Sequence, residues 1–167
     1  FTGNVSAPML KEVGCSYVLA GHSERRQYHK ETSAEVAAKA RAAHEAGLVA
    51  IICIGETDEE RSAGRANDVV STQLAESVPA DATPENTVIA YEPVWAIGTG
   101  KVASADDIKA IHALIREKSP APFRILYGGS VKGSNAAEIL HLPNVDGVLV
   151  GGASLKAEEF LAIASAA

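Results

Sequence analysis

The chain has 167 residues, of which 47% are hydrophobic and 22% charged, a balance typical of a soluble globular protein rather than a disordered one. Its formal net charge of −6 argues against a nucleic-acid or anionic-membrane surface, because either would need a basic field. We therefore expect a single domain over residues 1–167, in which any phosphate site depends on local donors.

Short apolar runs rich in β-branched residues alternate with longer segments of helical spacing. The runs are residues 16–20, 48–54, 87–91, 124–127 and 147–150. They are continuous rather than alternating, as in parallel strands that are buried on both faces. Helices are predicted over residues 34–46, over 106–118 with Ser104 as the N-cap, and over 155–167.

This alternation predicts parallel pairing through right-handed crossovers, in either an open doubly wound sheet or a barrel. Chain length favours the barrel, because five strand–helix units use about 33 residues each and a complete eight-unit barrel has ~250 residues. The prediction is an α/β fold, namely an incomplete (β/α)8 barrel with about five strand–helix units. The chain begins at Phe1 without an initiator methionine, which suggests a fragment or a processed chain.

Every predicted strand runs into a glycine or a charged residue at its carboxyl end. These strand-end segments are residues 21–26 (GHSERR), 55–57 (GET), 92–101 (EPVWAIGTGK), 128–130 (GGS) and 151–154 (GGAS). Ligands of parallel α/β folds bind at the carboxyl ends of the strands. Folding alone does not explain this convergence, so the sequence predicts a functional site at this rim.

Two residues of the rim are candidates for acid–base chemistry. A lone strand-end glutamate is usually a solvated carboxylate, but Glu92 precedes a small apolar stretch, 95–100, that resembles a lid. Ile97 could cover the carboxylate and exclude water, so Glu92 is interpreted as a general base. His22 lies at a helix start, where backbone N–H groups disfavour positive charge and favour a neutral imidazole that donates to a carbonyl oxygen.

Two glycine turns are candidates for phosphate binding. Residues 128–130 and 151–152 each precede a helix or a helical turn, where backbone N–H groups can approach an anion closely. Tight turns required by the chain path are the alternative for each. Residues 98–101 fit neither a P-loop nor a dinucleotide fingerprint, and the histidines and cysteines show no metal-ligand spacing, so no cofactor or metal is predicted.

The two cysteines, Cys15 and Cys53, lie in apolar runs and predict buried reduced thiols rather than a disulfide framework. No apolar run approaches the ~20 residues that cross a bilayer, and no signal peptide is present. These features predict a cytoplasmic protein.

Taken together, the segments 21–26, 91–100, 127–130 and 149–154 resemble triosephosphate isomerase in order and spacing, over essentially the whole chain. The resemblance implies a TIM barrel and a glycolytic and gluconeogenic isomerase. This enzyme interconverts dihydroxyacetone phosphate and D-glyceraldehyde 3-phosphate by proton transfer through an enediol(ate), without a cofactor. The resemblance also implies a small phosphorylated triose as substrate, a cytoplasmic homodimer when full length, and no nucleic-acid or membrane partner.

The site residues follow from the same resemblance. The implied catalytic residues are His22, Glu92 and Glu24, and the implied substrate-binding residues are Ser23, Ile97, Gly98, Tyr127, Ser130, Leu149, Gly151 and Gly152. Glu92 would move the proton while His22 polarises the carbonyl group. Ser23 would anchor Glu92, and Glu24 would organise the charges of the site. Gly98, Ser130, Gly151 and Gly152 would hold the phosphate. Ile97 and Leu149 would clamp the base, and Tyr127 with Ser130 would latch the closed lid.

The sequence departs from the family at its front. The family has an essential asparagine and lysine at the end of its first strand, and no residue here matches them, since Lys101 and Lys132 lie in other motifs. The alternative is therefore a catalytically impaired barrel fragment that only binds phosphate or self-associates. Another sugar-phosphate barrel enzyme, such as an epimerase or synthase, lacks support because residues 21–26 and the lid resemble the isomerase.

Overall fold

The computed structural model describes residues 4–97 and 101–167. The strands of this part are β1 (Tyr17–Ala20), β2 (Val49–Ile54), β3 (Thr87–Tyr91), β4 (Arg124–Tyr127) and β5 (Gly147–Val148). All pair in parallel, in the order of the chain from β1 to β5. This order fits a barrel wall, because a doubly wound sheet reverses its strand order at a switch point.

Helices precede, connect and follow the strands. They are α1 (Ala7–Glu12), α2 (Ser23–Tyr28), α3 (Ser33–Glu45), α4 (Asp58–Ser62), α5 (Ala66–Ser77), α6 (Ala105–Lys118), α7 (Ala136–Leu140) and α8 (Ala157–Ala164). Two 3-10 turns, Val94–Ala96 and Gly152–Leu155, follow β3 and β5. In the described part of the chain, no helix has both the length and the apolar character needed to cross a bilayer.

Capping boxes begin three of these helices. In α6 the Ser104 side chain accepts from the backbone of Asp107, whose carboxylate accepts from the Ser104 backbone, so the predicted cap is confirmed. Thr32 and Thr57 begin α3 and α4 in the same way. The helix predicted over 155–167 is wrong in its extent. Lys156 is extended and separates the turn Gly152–Leu155 from α8.

The core lies between the sheet and helices α3, α5 and α6. The buried apolar residues of these helices are Val36, Ala37, Ala40, Ala43, Val70, Leu74, Ile108, Ile111 and Ile115. All five residues of β3 are buried, as predicted for a strand covered on both faces. The same prediction is wrong for β1, where Tyr17 and Leu19 are 49% and 47% exposed. The reason is that β1 is an edge strand of the described sheet, with a neighbouring strand on one side only, so its residues are less covered.

The strand register positions the rim residues. Ile54 pairs with Tyr91, Tyr91 with Tyr127, and Tyr127 with Val148, so these strands end at one level. The residues that follow therefore lie side by side at one edge of the sheet. They include Gly55, Glu92, Gly128 and Leu149.

Candidate active site

Glu92 is the buried carboxylate at the centre of this rim. Only 2% of the residue is exposed, and it directly follows β3, with its backbone N–H donating to the Ile54 carbonyl at 2.8 Å. Its Oε2 atom accepts a hydrogen bond from the Ser23 backbone N–H at 2.9 Å, and its Oε1 atom lies 3.2 Å from His22 Nε2. The first turn of α2 thus holds the carboxylate from one side.

His22 is the N-cap of α2, and this position defines its tautomer. Its Nδ1 atom accepts the Glu24 backbone N–H at 3.2 Å, so in the neutral ring the proton is on Nε2. Nε2–H then points towards Glu92 Oε1. One third of the His22 side chain is exposed.

A cavity of about 740 Å³ brings together most of the residues that the sequence predicted for the site. They are His22, Glu92, Ile97, Ser130, Leu149, Gly151 and Gly152. Lys132 and Lys156 also line this cavity, which we call the rim cavity. Their charges are of the sign that a phosphate would need in a chain whose net charge is −6.

Both glycine turns were predicted to bind phosphate, but they differ in whether packing requires glycine at their positions. A Cβ atom on Gly128 would lie 3.0 Å from Glu92 Cγ, and one on Gly129 would lie 2.2 Å from the Tyr127 hydroxyl oxygen. Packing therefore explains Gly128 and Gly129. A Cβ atom on Gly151 or Gly152 would meet nothing within 4 Å, and neither residue has a positive φ. Their backbone is open to the rim cavity.

Other predicted residues lie at different places. Glu24 has an exposed side chain that lines a second cavity, of about 650 Å³, beside α2 and α4, while its backbone N–H donates to the Nδ1 atom of the N-cap His22. Ser23 contributes its backbone N–H, which donates to Glu92 Oε2. Burial raises the pKa of Tyr127 to about 12, and its hydroxyl lacks a hydrogen-bond partner within residues 4–97 and 101–167. Gly98 lies outside the described residues.

The segment after Glu92 is tied to the rim at two points. The stretch from Trp95, which the sequence predicted to resemble a lid, begins within the 3-10 turn Val94–Ala96. The Val94 N–H donates to the Glu56 carbonyl at 3.1 Å. The Ser130 hydroxyl donates to the Ala96 carbonyl at 2.7 Å. Ser130, which was expected to latch the lid, therefore contacts this segment.

Glu56, for which the sequence predicted no role, is fully buried under this segment. Its Oε1 atom accepts from the Tyr91 hydroxyl at 3.1 Å and from Trp95 Nε1 at 2.8 Å. The available signal was a charged residue two positions after an apolar strand. That signal identifies a rim residue but not its contacts.

The cysteines are free, and only Cys53 is buried as predicted, since Cys15 is partly exposed. Burial, with the neighbouring Glu92 carboxylate as the next cause, raises the pKa of the Cys53 thiol well above its usual range. Among the residues that the structure describes, no group of three or more histidine, cysteine, aspartate or glutamate side chains could hold a metal ion.

This geometry suits proton transfer next to a carbonyl group. A buried carboxylate can take a proton from carbon, a neutral imidazole can donate to the carbonyl oxygen, and open glycine amides can hold an anionic group.

Comparisons with known proteins agree with this chemistry. The family model described as triosephosphate isomerase matches residues 1–167. The chain is 60% identical to the triosephosphate isomerase of Mesorhizobium japonicum and 59% identical to that of Afipia carboxidovorans, in each case over 99% of this chain and 68% of the relative. The crystal structure of triosephosphate isomerase from Bartonella henselae matches with a TM-score of 0.93 at 50% identity, over 99% of this chain and 70% of that chain. The predicted partial (β/α)8 barrel is confirmed.

Proposed function

Because the chain belongs to the triosephosphate isomerase family, we propose that Glu92 is the catalytic base of this enzyme and His22 its electrophile. Enzymes of this family interconvert dihydroxyacetone phosphate and D-glyceraldehyde 3-phosphate in glycolysis. One observation carries this assignment. The buried Glu92 carboxylate lies 3.2 Å from the His22 Nε2 atom at the wall of a cavity that also exposes the backbone of Gly151 and Gly152.

In the proposed reaction, Glu92 takes a proton from the carbon next to the substrate carbonyl. The electrons of that C–H bond form a carbon–carbon double bond while the π electrons of the carbonyl group move to its oxygen, which accepts a hydrogen bond from His22 Nε2–H, and an enediol(ate) forms. Glu92 then returns the proton to the former carbonyl carbon. The proton of the neighbouring hydroxyl group passes to the former carbonyl oxygen, so the carbonyl group ends on the carbon that first lost its proton. The Ser23 N–H binds one carboxylate oxygen at 2.9 Å, which supports an anchoring role. The other oxygen faces His22 Nε2 at 3.2 Å, and we propose that it exchanges the proton once the substrate carbonyl takes the His22 hydrogen bond.

The phosphate group binds at the other end of the rim cavity. Gly151 and Gly152 donate backbone N–H groups, with Gly98 as a further proposed donor. Ser130 would contribute its hydroxyl by turning its proton from the Ala96 carbonyl to the phosphate. The absence of any packing reason for glycine at 151 and 152 supports this assignment. Ile97 and Leu149 both line the cavity and are proposed to enclose the base.

The remaining roles concern the surroundings of the site. Glu24 presents its carboxylate at the second cavity and is proposed to organise nearby charges. Tyr127 and Ser130 are proposed to latch the lid. The Tyr127 hydroxyl supports this, because it is protonated and has no hydrogen-bond partner among the described residues, so it can still donate a hydrogen bond.

We also propose that residues 1–167 form one domain in a cytoplasmic homodimer. The strands and helices share one core cluster, which supports the single domain. Val5, Met9 and Val13 are 66%, 58% and 77% exposed, which supports association through the first described residues. Light scattering over a concentration series would test it, and a concentration-independent monomer mass would contradict it.

Glu92→Gln tests the proposed function, with Glu31→Gln as a matched control at another buried carboxylate. Glutamine keeps the volume of the side chain but cannot take a proton, so turnover should fall at least about 10³-fold while inorganic phosphate still binds. The control should keep most of its turnover. Activity of Glu92→Gln within a few-fold of the parent would show that another group is the base. Phosphate binding without turnover in the parent chain would favour the phosphate-binding alternative.

A further inference from the structure

The segment that follows Glu92 rests on helix α4 through an arginine that the catalytic scheme does not use. We propose that Arg61 is a positioning residue for Glu92, which acts by holding Trp95 and by balancing the buried charge of Glu56. The proposal deepens the proposed role of Glu92 and rests on it. Arg61 does not touch the rim cavity in the described structure, so it would act through its neighbours.

Arg61 joins three elements. Its guanidinium carbon lies 4.3 Å from the centre of the Trp95 ring, in the geometry of a cation–π contact. Its NH2 atom lies 2.5 Å from Asp107 Oδ1 in the first turn of α6, and its NH1 atom lies 3.6 Å from Glu56 Oε1. Asp107 therefore orients the guanidinium, and the planar cation covers one face of the indole ring.

The charge of Glu56 explains why a cation is needed there. Glu56 is fully buried, and its Oε2 atom has no hydrogen-bond partner within the described parts of the chain. A buried carboxylate is stable only with paired charge and hydrogen bonds. The Tyr91 hydroxyl and the Trp95 indole supply hydrogen bonds, and Arg61 supplies the opposite charge.

The same contacts lead back to Glu92. Trp95 belongs to the 3-10 turn Val94–Ala96, which begins two residues after Glu92, and the Val94 N–H is bound to the Glu56 carbonyl. A displacement of Trp95 or Glu56 would therefore change how the chain leaves β3 at Glu92. Since general-base catalysis depends steeply on the position of the carboxylate, such a displacement should lower kcat more than it changes KM.

Trp95 is the only tryptophan of the chain, so its fluorescence reports this contact directly. We would compare Arg61→Met, which keeps a long apolar side chain without the charge, with Arg116→Met as a matched control. Arg116 lies 2.5 Å from Asp146, and its side chain is 30% exposed, against 31% for Arg61. Acrylamide quenching and steady-state kinetics would be measured for both variants and for Arg61→Lys.

Arg61→Met should raise the quenching constant of Trp95 about twofold, because one ring face loses its cover, and lower kcat about three- to tenfold with little change in KM. Arg116→Met should leave quenching and kcat near the parent values. Arg61→Lys should lie between the parent and the methionine variant, since it keeps the charge but loses the planar contact. It also decides the question if the methionine variant does not fold.

Equal quenching in the parent, Arg61→Met and Arg61→Lys would overturn the proposal, and so would a kcat of both Arg61 variants indistinguishable from that of Arg116→Met. The quenching experiment needs no turnover. A failure of the proposed function, seen as an active Glu92→Gln variant, is therefore distinguishable from a failure of the role of Arg61.

Discussion

Replacing Gly152 with valine separates phosphate binding from folding. An added Cβ atom at this position meets nothing within 4 Å, and the residue has no positive φ, so the free energy of unfolding should change by no more than about 0.5 kcal/mol. The branched side chain would instead fill space in front of the backbone N–H groups. Losing one hydrogen bond to a charged group costs about 1.5–3 kcal/mol, so phosphate should bind roughly 10- to 150-fold more weakly.

Gly129→Ala is the contrasting variant. Its Cβ atom would lie 2.2 Å from the Tyr127 hydroxyl oxygen and 3.0 Å from Pro93 Cγ, so it should destabilise the fold by about 1–3 kcal/mol through overpacking. Denaturant unfolding measures the stability of both variants. Titration with inorganic phosphate and with phosphate-free dihydroxyacetone measures binding. If Gly152→Val lost as much stability as Gly129→Ala, or weakened both ligands equally, Gly152 would serve the fold and the phosphate assignment would be refuted.

Two further predictions concern ionisable groups. Burial alone would raise the pKa of Glu31, but hydrogen bonds from Lys39 and Arg25 outweigh burial and lower it below its ordinary value of 4.5. The unfolded chain then binds the proton more tightly, so this stability is present above about pH 4.5 and is lost as the pH falls through the folded pKa. Glu31→Gln should flatten the acid side of the stability profile, and an unchanged profile would contradict this. Because burial and then the Glu92 carboxylate raise the pKa of Cys53, a thiol reagent at about pH 8 should modify Cys15 in the native chain and Cys53 only after unfolding. Rapid native labelling of Cys53 would disprove it.

The strands were predictable because buried parallel strands are continuous apolar runs. The prediction matched β3 and β4 residue for residue, and it extended β5 by two residues beyond its end at Val148. Helix α5 was not predicted, because the apolar face that it buries includes only Val70 and Leu74. Its place is determined by packing against α3 and α6, which no local pattern specifies.

The candidate site was predictable where a residue lies shortly after the carboxyl end of a strand. His22, Glu92 and Gly152 follow three different strands, and the common register of the parallel sheet brings them to one cavity. Contacts that depend on side-chain direction were not predictable. The Glu24 side chain faces the second cavity, and the contacts of Arg61 require α4, α6 and the turn after β3 to be assembled first.

The close packing of glycines around Glu92 limits how this sequence can diverge or be redesigned. A Cβ atom on Gly55 would lie 1.8 Å from the Glu92 carbonyl oxygen, and one on Gly128 would lie 3.0 Å from Glu92 Cγ. Neither glycine offers a side chain for chemistry, yet each would resist replacement for as long as Glu92 keeps its place. Selection on a single carboxylate should therefore extend to neighbouring strands, and a library that varies this rim should fix both glycines and place its diversity elsewhere.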